Sequence, residues 1–149
     1  RNTLLMPTDV TGQTNVHHNK PEYWDFYAIW DTYRTVMPLH TLLYPERQRG
    51  ILNSLLQVYA DSGWLPDAYI AGHYATIQRV TNADVVFADA IVKSLGGFDK
   101  QLAYKAMLKN AYHQSENPQI KGRFLADYLR YGYVTASSWK SASSRTLEY

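Results

Sequence analysis

Proline and glycine cut this chain into apolar stretches of helical spacing, and no stretch alternates polar and apolar residues for long enough to make a strand. Residues 46–61 place Ile51, Leu52, Leu55, Leu56, Val58 and Tyr59 at steps of three and four, which gives a helix one apolar face. Pro45 suits the first turn of that helix, where a missing N–H costs nothing, and Glu46 faces the positive end of its dipole. Gly63 suits the left-handed residue that closes it.

The same reasoning places the other segments. Residues 24–44 carry apolar and aromatic side chains on nearly all sides, so a helix there is expected to be buried, kinked or restarted at Pro38. Thr81 and Asp84 resemble a capping box ahead of an apolar helix that runs to Leu95 and ends at Gly96-Gly97. Asp99 is the expected cap of the next helix, which sets Leu102, Ala103, Ala106, Met107 and Ala111 on one face. Asn117-Pro118 breaks the chain, and Phe124, Leu125, Tyr128 and Leu129 form a short helix closed by Gly132. Residues 1–23, 64–80 and 133–143 read as loop, and residues 144–149 as the opening of a further helix. The expected class is all-α: helical hairpins stacked side by side, as in an array or an α/α toroid.

Composition narrows the function classes. The 149 residues suit one domain, but a chain that starts at Arg1 and stops as a helix opens is expected to be a processed product or a fragment. It contains no cysteine, so disulfide scaffolds and thiolate chemistry are excluded. A net charge of +2 without a Lys/Arg cluster argues against nucleic acid, and no apolar run is long enough to span a membrane. His17-His18, His40, His73 and His113 lack zinc spacing. No P-loop, dinucleotide loop or nucleophile elbow occurs. Aromatic residues reach 14%, with 13 Tyr and 4 Trp, which fits either a tyrosine-rich helical core or a surface that stacks on sugars.

Three groups of residues carry candidate chemistry. Asp31 and Arg34, three apart beside Trp30 and Tyr33, share a helix face. They read either as a structural ion pair or as a polar pair at the bottom of a pocket, accepting from and donating to vicinal sugar hydroxyls. The stretch from Gly63 to Asn82 holds Trp64, Asp67, Tyr69, His73, Tyr74, Gln78, Arg79 and Asn82, and reads either as a binding loop or as an ordinary connector. Asp31, Asp84, Asp89 and Glu148 are the carboxylates considered for a glycosidase pair; Asp84 reads more readily as a cap group, Asp89 as a helix residue bonded to a neighbour, and Glu148 as a first-turn carboxylate that the dipole favours.

Several runs together resemble glycoside hydrolase family 92. They include Thr3-Leu4-Leu5-Met6-Pro7-Thr8-Asp9, Tyr27-Ala28-Ile29-Trp30-Asp31-Thr32-Tyr33-Arg34, Pro45-Glu46-Arg47, Gly63-Trp64-Leu65-Pro66, Asn82-Ala83-Asp84, Gly97-Phe98-Asp99, Gly132-Tyr133-Val134 and Thr146-Leu147-Glu148-Tyr149. They fall in the family's order and cover essentially the whole chain. The resemblance implies a calcium-dependent exo-α-mannosidase that acts on α-1,2-linked mannose of N-glycans or mannan with inversion. It implies a β-sandwich joined to an (α/α)6 barrel, of which residues 1–149 are the N-terminal portion, without the sandwich or the C-terminal half. It puts Trp30, Asp31 and Arg34, and more distantly Asn82, at the bound sugar. It leaves the general acid, the base and the calcium ligands outside these residues, so that Glu148 is not the acid and the fragment alone is inactive. It further implies a mannose-containing oligosaccharide and the rest of the barrel as partners, and a secreted or periplasmic location. A non-catalytic helical module that binds carbohydrate or protein is the other reading of the same residues.

Overall fold

Pro45 opens and Gly63 closes the longest helix, α3 (Pro45–Ser62), as the spacing predicts: Gly63 sits at φ 80°, and its N–H bonds Tyr59 O at 2.7 Å. The computed structural model describes residues 24–25, 28–70, 73–74, 82–117, 121–123, 125–133 and 135. Before α3 come α1 (Ile29–Thr32) and α2 (Val36–Leu43). After it come a hairpin of β1 (Tyr69–Ile70) and β2 (His73–Tyr74), then α4 (Asn82–Val92), α5 (Lys100–Tyr112) and α6 (Ala126–Tyr131). The class is all-α apart from this one small hairpin among the described residues.

One core joins α1 through α5. Ile29, Met37, Leu52, Leu55, Phe87, Ala90, Ala103 and Ala106 belong to it, and Phe98 lays its ring 5.8 Å from that of Phe87. α3 packs on α2 and α5, and α4 packs on α1, α2 and α5. Ala83 and Ala90 of α4 and Ala103 and Ala106 of α5 are wholly buried, so methyl groups rather than long side chains line these close-packed faces.

Several expectations change. The segment 24–44 does restart, but before Pro38: α1 is a single turn, the chain unwinds over 33–35, and α2 begins at Val36 with Pro38 as its third residue, where no intrahelical N–H is lost. α2 is not buried all round, since only Met37 and Thr41 of its residues are fully inside. The apolar helix before Gly96-Gly97 ends earlier than those glycines, at Val92. Ser94 takes the left-handed conformation (φ 61°), with Ser94 N bonded to Ile91 O and Leu95 N to Ala90 O, the Schellman arrangement. The glycine pair instead receives α3: Arg49 Nε donates to Gly96 O and Asn53 Nδ2 to Gly97 O, both at 2.9 Å. A Cβ on Gly97 would stand 2.7 Å from Arg49 Cδ.

On α5, Asp99 caps as expected, its Oδ1 accepting from Leu102 N at 2.9 Å. The buried stripe, however, is Ala103, Ala106 and Asn110, and Ala111 is exposed. One further residue turns a side chain by about 100° around the helix, which carries Ala111 off the core face. Gly132 closes α6 at φ 77° as expected. Thr81, Phe124, residues 1–23 and residues 136–149 lie outside the described residues.

Candidate substrate-binding site

α1 is held by Ile29, which is fully buried, and by Ala28 O, which accepts from Asp31 N, Thr32 N and Thr32 Oγ1. With Ile29 as the plug, the next two residues rise toward the surface: Trp30 is half-buried and Asp31 is exposed. The expected Asp31–Arg34 pair is not formed. The backbone leaves the helix at Tyr33–Thr35, so the three-residue spacing no longer stacks the two side chains, and the Arg34 guanidinium lies 5.2 Å from the Tyr33 ring centroid. Asp31 engages its neighbour only through the backbone, its carbonyl accepting from Thr35 Oγ1 at 3.2 Å. No side chain among the described residues occupies its carboxylate, which is open to a ligand's hydroxyl donors.

Asn82 is the first residue of α4 and is half-buried. α4 packs directly on α1, so the elements that carry Trp30, Asp31 and Asn82 are neighbours in the fold. Arg34 is exposed in the turn that follows α1.

The other candidates resolve into structural roles. Asp84 Oδ1 accepts from Asn110 Nδ2 at 3.2 Å, which ties α4 to α5. Asp89 pairs with Lys93 one turn on, as a carboxylate bonded to a neighbour should. Trp64 is buried beneath Lys109, whose Nζ stands 4.6 Å from the indole centroid. The Tyr74 hydroxyl bonds both Ser62 Oγ and Trp64 O, and burial raises its pKa, so it stays a neutral phenol. The Tyr74 hydroxyl therefore fastens the hairpin to the end of α3, and the buried Trp64 ring presents no surface to a sugar. Lys121 Nζ adds a bond to Ser62 O at 3.1 Å, placing a cation at the negative end of α3. His73 is exposed on the hairpin, while Gly72, Gln78, Arg79, His17, His18 and Glu148 lie outside the described residues. His40 is half-buried, and burial first, then the Arg47 charge, lowers its pKa.

Two polar residues escaped the reading of the sequence. Gln48 is wholly buried with neither amide atom partnered among the described residues, and Asn110 is wholly buried with its oxygen unpartnered among them. The signal lies in the spacing: Gln48 precedes Ile51, Leu52 and Leu55 on one helix face. The described residues do not fit a calcium site. Calcium takes six to eight oxygens, and nowhere among these residues do three or more His, Cys, Asp or Glu side chains gather.

Comparison with known proteins gives the family of the chain. The sequence pattern of the family described as glycosyl hydrolase family 92 catalytic domain matches residues 2–149. An uncharacterized secreted glycosidase of Arthroderma benhamiae is 30% identical over 158 residues, covering 99% of this chain. The family 92 inverting mannosidase of Bacteroides thetaiotaomicron superposes on 85% of the chain with a TM-score of 0.67 at 25% identity. The chain spans 17% of the length of each of these relatives. The family pattern matches nearly the whole chain and the fold agrees with a member's, and the chain belongs to glycosyl hydrolase family 92.

Proposed function

We propose that this chain is part of the catalytic domain of a secreted or periplasmic exo-α-mannosidase, one that removes α-1,2-linked mannose from N-glycans or mannan with inversion. Within that reading the helices form the N-terminal portion of an (α/α)6 barrel, and the rest of the barrel is their partner. Support comes from the family match and from the structural relative, whose name states an inverting mannosidase. The observation that carries the reading is Asp31: an exposed carboxylate with no protein partner among the described residues, beside Trp30, on a turn anchored by a buried isoleucine.

An inverting glycosidase needs one carboxylic acid to protonate the leaving oxygen and one carboxylate to activate water on the opposite face of the ring. Neither is assigned to these residues; both would come from elsewhere in the domain, and the fragment alone would be inactive. The part played here is orientation. The Asp31 carboxylate accepts from ring hydroxyls, Trp30 forms the wall beside them, and Arg34 and Asn82 donate. Holding the sugar in one pose lowers the barrier by pre-ordering the reacting groups. Calcium, implied by the resemblance, would be held outside the described residues, and no step above uses it. Nothing among the described residues favours a non-catalytic module.

In the complete enzyme, Asp31→Asn should lower kcat/KM toward an α-mannoside by roughly a hundredfold or more, because a charge-assisted bond that orients the sugar is lost. The melting temperature should not change, since no side chain among the described residues bonds the Asp31 carboxylate. Wild-type kinetics in this variant would remove Asp31 from the site.

A further inference from the structure

α4 and α5 form an antiparallel hairpin whose two ends are fastened differently. At the closed end, residues 93–99 turn the chain, and α3 holds them through Arg49 Nε on Gly96 O and Asn53 Nδ2 on Gly97 O. At the open end, Asp84 Oδ1 in the first turn of α4 accepts from Asn110 Nδ2 in the last turn of α5 at 3.2 Å. Along the hairpin both helices bury alanines, Ala83 and Ala90 on α4 and Ala103 and Ala106 on α5. Asn110 continues the α5 stripe as a wholly buried amide, and its oxygen has no partner among the described residues. Such an oxygen costs stability, and a methyl group at this position would avoid the cost. What an alanine could not supply is the N–H that reaches Asp84. Fixing the register of packed helices is the best-attested use of a buried polar group.

We propose that Asn110 is a positioning residue for substrate binding: through Asp84 it fixes the first turn of α4, and so sets where Asn82 stands relative to Asp31. The inference rests on the functional reading above, in which Asn82 donates to the sugar and Asp31 accepts from it. Asn82 is the first residue of α4 and lies two residues before Asp84. The end of a helix frays where no tertiary bond holds it, and its first residue moves most. α1, which carries Asp31, packs on α4, so a shift of that end changes the spacing between donor and acceptor. A displacement of about 1 Å at such a group can cost roughly a hundredfold in rate. Asn110 itself is wholly buried, so it acts on the sugar only through α4.

Asn110→Ala, Asn82→Ala and the double variant, made in the complete enzyme, test this. Asn110→Ala should lower kcat/KM toward an α-mannoside about tenfold. The double variant should lose no more than Asn82→Ala alone, because the placement of a group already removed has no further effect. The melting temperature of Asn110→Ala should stay close to the wild type, since the lost bond is offset by removal of the unpartnered oxygen. Asp84→Asn keeps an acceptor for the Asn110 N–H and should retain more of kcat/KM than Asp84→Ala. Amide exchange gives a readout free of catalysis. In Asn110→Ala it should quicken roughly fivefold at Val86 and Phe87, whose N–H groups close the first turn of α4, and not at Leu95 at the closed end. Losses that multiply in the double variant would overturn the proposal, as would unchanged exchange at Val86 and Phe87. Wild-type kinetics in Asn110→Ala or Asn82→Ala would also overturn it and leave the mannosidase reading intact. A complete protein without mannosidase activity would fail that reading, and quickened exchange in it would keep Asn110 as the group that fixes the start of α4.

Discussion

At the scale of single residues, the fold places strain and polarity where a sequence reading does not look for them. Ser94 occupies a left-handed position usually given to glycine, although two glycines lie two residues on. Its Cβ crowds the carbonyl in that conformation, a cost glycine avoids. Ser94→Gly should therefore stabilise the chain by about 0.5–1 kcal/mol, the gain being limited by the greater freedom of glycine in the unfolded chain. Chemical denaturation checks it, and a loss of stability would mean that the Schellman turn is not the native end of α4. His40 makes a pH-dependent case. Its folded-state pKa lies below the unfolded value of 6.5, because burial and then the Arg47 charge disfavour the imidazolium. The unfolded chain then binds more protons, so the His40 contribution is fully present above pH 6.5 and is lost as pH falls toward the lowered value. His40→Gln should lose less melting temperature than the wild type between pH 7 and pH 5, and identical pH profiles would show that the shift is absent. Asp31 was legible as a candidate from its aromatic neighbours, but its openness was not, because the expected partner Arg34 depended on a helix that unwinds at Tyr33.

At the scale of elements, punctuation was legible and orientation was only partly so. Pro45 with Gly63, Asp99 and Gly132 each act locally through φ or through one backbone bond, and the structure uses them as their chemistry dictates. The hairpin at 69–74 was invisible, since strands of two residues carry no periodicity, and tertiary bonds from the Tyr74 hydroxyl to Ser62 and Trp64 O hold it. The α5 face was misjudged by one residue, because alanine reads alike on either side of a helix and the buried position falls on a polar Asn110. That correction can be tested by enlarging the two alanines in turn. Ala106 is wholly buried against the other helices, so Ala106→Leu overfills a packed interface and should cost about 1–3 kcal/mol. Ala111→Leu adds its volume to solvent and should change stability by less than about 0.5 kcal/mol. Equal destabilisation by both would restore the original face.

At the scale of the whole molecule, cooperativity should follow the core and not the order of the chain. One cluster unites residues from α1 to α5, whereas α6 buries none of its own side chains. It is held from outside its body: Leu125 is buried just before it, and Gln114 Oε1 accepts from Leu125 N at 2.6 Å and from Ala126 N at 2.8 Å. A second pin joins Asp127 Oδ2 to Thr135 N at 3.2 Å. One amide oxygen thus satisfies two donors at the start of α6, where side-chain caps count most because no apolar face shares the load. α6 should therefore open by itself, well below the free energy that unfolds α3 and α5. Gln114→Ala leaves both N–H groups without that acceptor and should lower the opening free energy of α6 by about 1–2 kcal/mol. Amide exchange in α6 would then quicken roughly five- to thirtyfold. Exchange in α3 and the melting temperature of the chain should remain as in the wild type, because Gln114 is itself exposed and lies outside the core. Faster exchange spread evenly over α3, α5 and α6 would instead make α6 part of the same cooperative unit, and Gln114 a residue of global rather than local stability.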